Sequence, residues 1–222
     1  MISIKYDRWE KISVNVFEKL NNAIESAEVT GNEMVDYLNK QVAILSVLCD
    51  VDEDRIVELN KNDFADLVKQ SEFLNETPKK NIIDKVTLNG KEYEIFLSIG
   101  NMNMNQLIDF HTLYKDKEKN FKQMLAIFIL PKGKAYCEGY DIKEVIDDIG
   151  EYLSITDANN IMFFFALAYQ SLTKVILTSL VKEMKKMKKK EKNQERVKMI
   201  EEAIMKIQEA QSLAENGVGH IM

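Results

Sequence analysis

The sequence predicts an α+β fold that is predominantly α-helical: a small antiparallel sheet packed with helices, and a long C-terminal helix or helical hairpin. Three observations predict it. Asn89-Gly90 stands between two β-rich runs, Ile82–Leu88 and Lys91–Leu97, and Asn-Gly suits the left-handed backbone of a type I′ hairpin turn. Apolar residues recur at helical spacing on both sides of that hairpin. The chain of 222 residues holds only two prolines and eight glycines, with neither type between Ser154 and Asn216, so long stretches carry no helix breaker.

The elements follow in order. Ile2, Ile4 and Tyr6 alternate with Ser3, Lys5 and Asp7, which reads as a half-buried strand and the expected third strand of the sheet; Trp9 closes its end. Val14 to Ala27 is a helix with Val16, Leu20, Ala23 and Ile24 on one face and Ser13 as its cap. Thr30-Gly31-Asn32 ends that pattern. A second helix runs from Met34 to Leu48, with Met34, Leu38, Val42, Leu45 and Leu48 on one stripe. Asp50 and Glu53 have capping-box spacing for a third helix. Asn62 caps a fourth, through Phe64, Leu67 and Val68 towards Phe73. Thr77-Pro78-Lys79-Lys80 marks an internal boundary.

A two-residue turn fixes the hairpin register: Leu88 opposite Lys91, Val86 opposite Tyr93, Ile82 opposite Leu97 on one face, and Lys85 opposite Glu94 and Ile83 opposite Phe96 on the other. Asn101–Asn105 leads into a helix Gln106–Lys115. Phe121–Leu130 reads as a buried helix stopped by Pro131. Pro131–Tyr140 is a loop. Asp141 and Glu144 form a capping box for a helix Ile142–Leu153, and Thr156 or Asp157 caps the longest helical pattern. Its apolar stripe is Phe165, Leu172, Ile176, Leu180, Met184 and Met187; Val197, Ile200, Ile204 and Ile207 keep a second, heptad-like one. The expected organisation is 1–78, 79–156 and 157–222, the last an extension of, or part of, one domain with the rest. Lys40–Leu48 also echoes Lys122–Leu130, which leaves internal duplication and chance both open.

Composition narrows the function classes. Hydrophobic residues at 45% and charged residues at 30% describe a folded globular chain. Cys49 and Cys137 lie far apart with no histidine near either, so they form no zinc spacing and read as buried, reduced thiols. Cys49–Arg55 is acidic but is not an EF-hand, because Arg55 and Lys61 occupy the positions that need Gly and Glu. The most apolar window, Ile161–Val181, contains Gln170, Lys174 and several hydroxyl residues, which disfavours a membrane span. The start of the chain lacks the apolar core of a signal peptide.

No constellation for catalysis is apparent. His111 sits mid-helix beside Asp109 without a nucleophile motif. Gly133-Lys134 lacks the remainder of a P-loop. Asp147, Asp148, Glu144 and Glu151 read as a solvated helix face. The chain is therefore expected to be non-enzymatic, with no cofactor or metal. Charge is uneven: Lys182–Lys192 carries seven lysines against two glutamates, +5, leaving −11 on the rest of a chain of net charge −6. Lys182, Lys185, Lys186, Lys189 and Lys190 cover one side of a helix with Met184 and Met187 opposite. That is the polar face of an amphipathic helix, a dock for an acidic protein, or a set of phosphate contacts, although no arginine is present for base readout.

From Val86 to Leu180 the order of features resembles bacteriophage tail assembly chaperones and related virion-assembly proteins. The residues that carry it are the Asn-Gly hairpin ending Lys91-Glu-Tyr-Glu-Ile95, then Asn105–Phe110, Lys122–Lys134, Gly139–Ile142 and Asn160–Phe165. The N-terminal echo and the lysine-rich extension lie outside it. The resemblance implies a helical protein that binds other phage proteins, such as the tape measure protein or tail and connector subunits, in the host cytoplasm during assembly or in the virion itself. It is compatible with a homo-oligomer. The residues expected to carry partner binding are Phe163, Phe164, Phe165, Leu172, Ile176, Leu180, Met184, Met187, Ile200, Ile204 and Ile207. The alternative is a packaged, nucleic-acid-associated protein using Lys182–Lys192.

Overall fold

The structure, a computed structural model, describes residues 2–78, 83–96, 102–117, 119–191 and 193–216; within the helices that follow, the side chains of 166–176, 190 and 207–216 are outside that description. The chain is predominantly helical with a small three-stranded antiparallel sheet. It forms two compact units, Met1–Ile95 with Ile108–Ile161, and Phe96–Leu107 with Met162–Met222.

In the first unit, α1 (Val14–Ser26) starts where expected, with Ser13 Oγ accepting from Val16 N at 3.3 Å. It packs against α2 (Glu33–Cys49). Asn32 caps α2 by accepting from Met34 N and Val35 N. The predicted α2 stripe is buried only in its C-terminal half: Leu45 and Leu48 are inaccessible, whereas Met34 and Leu38 are exposed. Asp50 does not open the next helix. It ends α2 in the left-handed region (φ 57°), where its amide donates to Ser46 O and Val47 O; a short Asx side chain tolerates that backbone. The short α3 (Glu53–Val57) starts after Asp52 without a side-chain cap. Asn60, not Asn62, caps α4 (Lys61–Gln70), accepting from Asn62 N and Asp63 N.

Residues 2–6 form no strand. Lys5 N and Tyr6 N both donate to Leu48 O, at 2.9 and 3.2 Å. Ile2 and Ile4 instead pack beside Leu45, Cys49, Ile56 and Leu67. The alternation correctly gave the buried side of this segment, but the exposed carbonyl at the end of α2 takes its amides. Trp9, in a single 3₁₀ turn, donates from Nε1 to Glu76 O at 2.9 Å and meets Phe73 edge to face.

The hairpin is β1 (Lys85–Leu88) and β2 (Lys91–Ile95), in the predicted register from Leu88–Lys91 to Lys85–Glu94. Asn89 and Gly90 have φ 49° and 73°, as the type I′ turn requires. The Ile83–Phe96 pair lies beyond the ladder, and the Ile82–Leu97 pair falls outside the described residues. The third strand is β3 (Ile129–Pro131), antiparallel to β2. The run Phe121–Leu130 is thus two elements: α6 (Phe121–Phe128) and then this edge strand. Periodicity cannot divide a stretch that is buried without a break from Met124 to Leu130, and Pro131 is tolerated at the end of an edge strand.

α7 (Ile142–Tyr152), capped by Asp141, packs on α1, α6 and the sheet. Two backbone bonds tie its end to the start of α1: Val14 N donates to Leu153 O (3.1 Å), and Ile155 N donates to Ile12 O (2.8 Å). Ile12, Leu153 and Ile155 are all buried. α8 (Ile155–Lys190) begins here, and its cap is Ser154, whose Oγ accepts from Asp157 N. Thr156 does not cap it, and its Oγ1 is buried with no partner among the described residues. α5 (Met104–Tyr114) opens with a reciprocal pair: Gln106 N donates to Asn103 Oδ1 and Asn103 N to Gln106 Oε1, at 2.9 and 3.1 Å.

In the second unit the C-terminal pattern is a hairpin of two helices, α8, which ends at Lys190, and α9 (Gln194–Asn216). Asn193 Oδ1 accepts from Glu195 N and Arg196 N and so starts α9. Lys188 pairs with Glu201 across the break. Thirteen residues of straight helix would separate them by about 20 Å, so the chain turns back on itself.

Candidate functional site

Helix geometry decides which side of the α8–α9 hairpin is available. Val181 on α8 and Ile204 on α9 are buried, and Met184, Lys188, Val197 and Ile200 are half-buried. The inward stripe of α8 is therefore Val181–Met184–Lys188. The predicted stripe Leu180–Met184–Met187 is turned by one position from it, and Leu180 and Met187 face solvent at 46% and 60% exposure. Met199 and Met205 on α9 are exposed as well. Met187 lies across the helix from Lys182, Lys185 and Lys189, as expected, but it is exposed rather than packed away.

Of the other predicted contact residues, Phe165 is fully buried and Phe163 and Phe164 are half-buried. Phe164 and Phe165 meet edge to face at 5.7 Å. Phe165 is thus not available at the surface. The side chains of Leu172, Ile176 and Ile207 lie outside the described residues.

Lys182, Lys185, Lys186 and Lys189 are exposed. Lys186 holds Glu183 at 2.6 Å, which pulls the glutamate below its usual range. Among the described residues no carboxylate lies within ion-pair distance of Lys182, Lys185 or Lys189.

On α7, Glu144, Asp147 and Glu151 are exposed as expected, and Asp148 is the exception. Asp148 is buried, and three groups of the hairpin converge on it: Tyr93 Oη donates at 2.6 Å, Lys91 Nζ at 3.1 Å and Asn89 Nδ2 at 3.1 Å. Lys91 also holds Glu144 at 2.6 Å. Burial works against the Asp148 charge, but the three donors outweigh it and hold the carboxyl below its usual range. Burial first, then the bond to Asp148, pushes the Tyr93 hydroxyl well above its ordinary value. Glu151 accepts from Asn15 Nδ2 at 2.8 Å, and Lys122 reaches both Asn15 Oδ1 (2.9 Å) and Glu18 (2.8 Å). These are internal ties, complete in themselves.

Other chemistry-bearing groups are similarly accounted for. Asp109, beside His111, accepts from Tyr136 Oη at 2.8 Å. Cys49 is a buried thiol with its pKa raised by burial, whereas Cys137 is exposed, contrary to expectation. Among the described residues no group of His, Cys, Asp and Glu is placed to hold a metal ion. The described residues of the first unit also line two open clefts. One of about 330 Å³ lies between Tyr6, Lys19, Ser46 and Asp50; one of about 230 Å³ lies between Asp109, Leu113, Gln123, Tyr136 and Ile146. Both are at or below the lower end of small-molecule sites. Among the described residues no helix is long and apolar enough to cross a membrane.

The hairpin side chains thus remain the candidate surface. No family model, curated protein or solved structure matches the chain. Its surface chemistry alone has to carry a functional reading.

The sequence placed the lysine segment and the two apolar stripes correctly on helices. It missed the rotation of the α8 stripe, because Val181 and Leu180 are equally apolar neighbours and only packing chooses between them. It also missed a second exposed apolar group on α2, which periodicity had assigned to the core.

Proposed function

We propose that this chain is a non-enzymatic assembly protein of a bacteriophage particle, similar to a tail assembly chaperone, acting through protein–protein contacts of its α8–α9 hairpin. The observation that supports this is the exposure of Leu180, Met187, Met199 and Met205 on the two helices. Exposed methionine adapts to varied apolar partners, and an amphipathic helix is a common partner of such a surface. The order of features from Val86 to Leu180 adds the resemblance: the Asn-Gly turn, the Lys122–Lys134 run that forms α6 and β3, and the Asp141 cap of α7 follow in that order in the first unit. The partner of this reading is another phage protein with long apolar helices, such as a tape measure protein, or a tail or connector subunit.

Co-expression with the tape measure protein tests it. The chain should raise the soluble fraction of that protein, and Leu180→Asp with Met187→Asp should remove the effect while leaving helix content intact. No effect of the unaltered chain on any tail or connector subunit would refute the reading. Mass spectrometry of purified particles then separates a transient factor from a resident subunit.

The second reading is a nucleic-acid-associated role, favoured by the exposed Lys182, Lys185, Lys186 and Lys189. Four phosphate contacts would give a log–log salt slope of about −4 on duplex DNA. A steep slope lost on changing those lysines to glutamine would favour it over the assembly role.

A further inference from the structure

The turn that sets the hairpin register carries chemistry of its own. Asn89 and Gly90 are both exposed, and a Cβ added to Gly90 would meet nothing within 4 Å. Glycine puts no side chain in the way of a close approach to its backbone. The Gly90 nitrogen is therefore open to the side-chain amide carbon of the residue before it. What is particular to this chain is the other end of that side chain. Asn89 Nδ2 donates to Asp148 Oδ1 at 3.1 Å. Among the described residues Asn89 is the donor to Oδ1, while Tyr93 (2.6 Å) and Lys91 (3.1 Å) share Oδ2. Asp148 is 4% exposed. The turn is thus fastened to α7 by an amide that can be lost.

We propose that Asn89 is a site of spontaneous deamidation and that the product releases the hairpin from α7. The Gly90 nitrogen attacks Cγ of Asn89. A bond forms between them, the bond from Cγ to Nδ2 breaks, and ammonia leaves with the proton of the Gly90 amide. Water then opens the cyclic imide at either carbonyl. One opening gives aspartate at 89; the other gives isoaspartate, with the side-chain carbon in the main chain. The net change takes in water and gives off ammonia, with no electron transfer.

Both products oppose the fastening. Aspartate at 89 places a carboxylate where Asp148 Oδ1 now meets a donor at 3.1 Å, and two carboxylates sharing a site resist ionising together. Lys91 is already divided between Glu144 at 2.6 Å and Asp148. The altered site would set the carboxylates of residues 89, 144 and 148 against that single ammonium. Isoaspartate lengthens the main chain of a turn whose φ values of 49° and 73° fit the Leu88–Lys91 register, and two-residue hairpin turns tolerate little change of backbone. The loss of ammonia gives the change one direction, so the hairpin of an older molecule is no longer tied to α7. The inference does not rest on the phage reading.

Peptide mapping by mass spectrometry tests it on the purified full-length chain aged in neutral buffer, beside a free peptide of residues 87–92. Expected is conversion at residue 89 to the acid, with isoaspartate among the products. Hydrogen exchange on the aged fraction should then be faster at residues 85–95 and unchanged in α1 and α2. Two variants separate the new charge from the lost bond. Asn89→Gly keeps a turn-forming residue, removes the donor and cannot deamidate, whereas Asn89→Asp reproduces the main-chain product. The folding equilibrium constant of Asn89→Asp should lie about tenfold below that of Asn89→Gly in urea titration at neutral pH. Residue 89 still wholly an amide when the free peptide has fully converted overturns the inference. So does an Asn89→Asp chain as stable as Asn89→Gly, or an aged chain that exchanges like the fresh one at residues 85–95. Because no phage protein is present, these outcomes are independent of the chaperone test.

Discussion

Asp148 is the residue on which the attachment of the hairpin to α7 depends. It is a buried carboxylate with donors from Asn89, Lys91 and Tyr93, and a hydrogen bond to a charged group contributes about 1.5–3 kcal/mol. Asp148→Asn keeps the shape but loses the charge and turns one acceptor into a donor. It should lower unfolding stability by about 2–3 kcal/mol in urea titration at neutral pH. The pH dependence has a definite sign. The folded carboxyl lies below its unfolded value of 3.8, so its stabilisation is present above about pH 4 and is lost as pH falls through the folded value. The Asn variant should therefore lose less stability than the parent between neutral and acid pH. A second residue-scale constraint is Gly150, where a Cβ would stand 2.5 Å from Asn15 Oδ1. Gly150→Ala should cost about 1–3 kcal/mol by overpacking, and less in an Asn15→Ala background, since the two changes share one contact. Equal cost in both backgrounds would show that the Asn15–Lys122–Glu151 tie is not what the methyl group disturbs.

At the scale of elements, the α8–α9 bend is the feature most open to measurement. Spin labels at Lys188 and Glu201 should report adjacent helices, roughly 8–10 Å between axes, rather than the ~20 Å of a continuous helix. What the sequence revealed at this scale followed local chemistry. Ser13, Asp141 and the Asn89-Gly90 turn act through bonds to their own neighbours, and the structure has them where expected. What it concealed was settled by distant partners. Ile2–Tyr6 has the alternation of a strand, yet its amides go to the free carbonyl of Leu48. Ile129–Leu130 continues an apolar run without a break and becomes a strand because β2 offers an open edge. The echo between Lys40–Leu48 and Lys122–Leu130 ends there: the first stays helical to Cys49, the second turns to strand after Phe128. The candidate site shows the same division. Its helices were legible, but the choice of Val181 over Leu180 as the inward residue was not, and neither was the exposure of Met34 and Leu38.

At the scale of the whole molecule, burial among the described side chains is unequally shared between the two units. The fully inaccessible aliphatic residues Ile12, Leu45, Leu48, Ile56, Leu125, Ile127, Ile149 and Leu153 belong to the first unit. Among the described side chains of α9, Ile204 is the buried one, at 8%, and its neighbours Met199 and Met205 are exposed. Burying a large aliphatic side chain contributes about 1.5–3 kcal/mol, so a helix with one such residue among those described opens at far lower cost than α6 or α7. Native-state hydrogen exchange should show this. Amides of α6 and α7 should exchange only through global unfolding, and those of residues 197–204 through a sub-global opening several kcal/mol cheaper. This difference bears on function, because a hairpin that opens on its own can re-pack its apolar stripe against another helix without disturbing the sheet and α7. A bound partner should accordingly slow exchange at residues 197–204 by an amount that tracks its affinity, while α6 and α7 stay unchanged. Protection of α9 equal to that of α7 in the isolated chain would mean that its inward stripe is permanently occupied, and the hairpin would then offer a partner only its outward methionines and lysines.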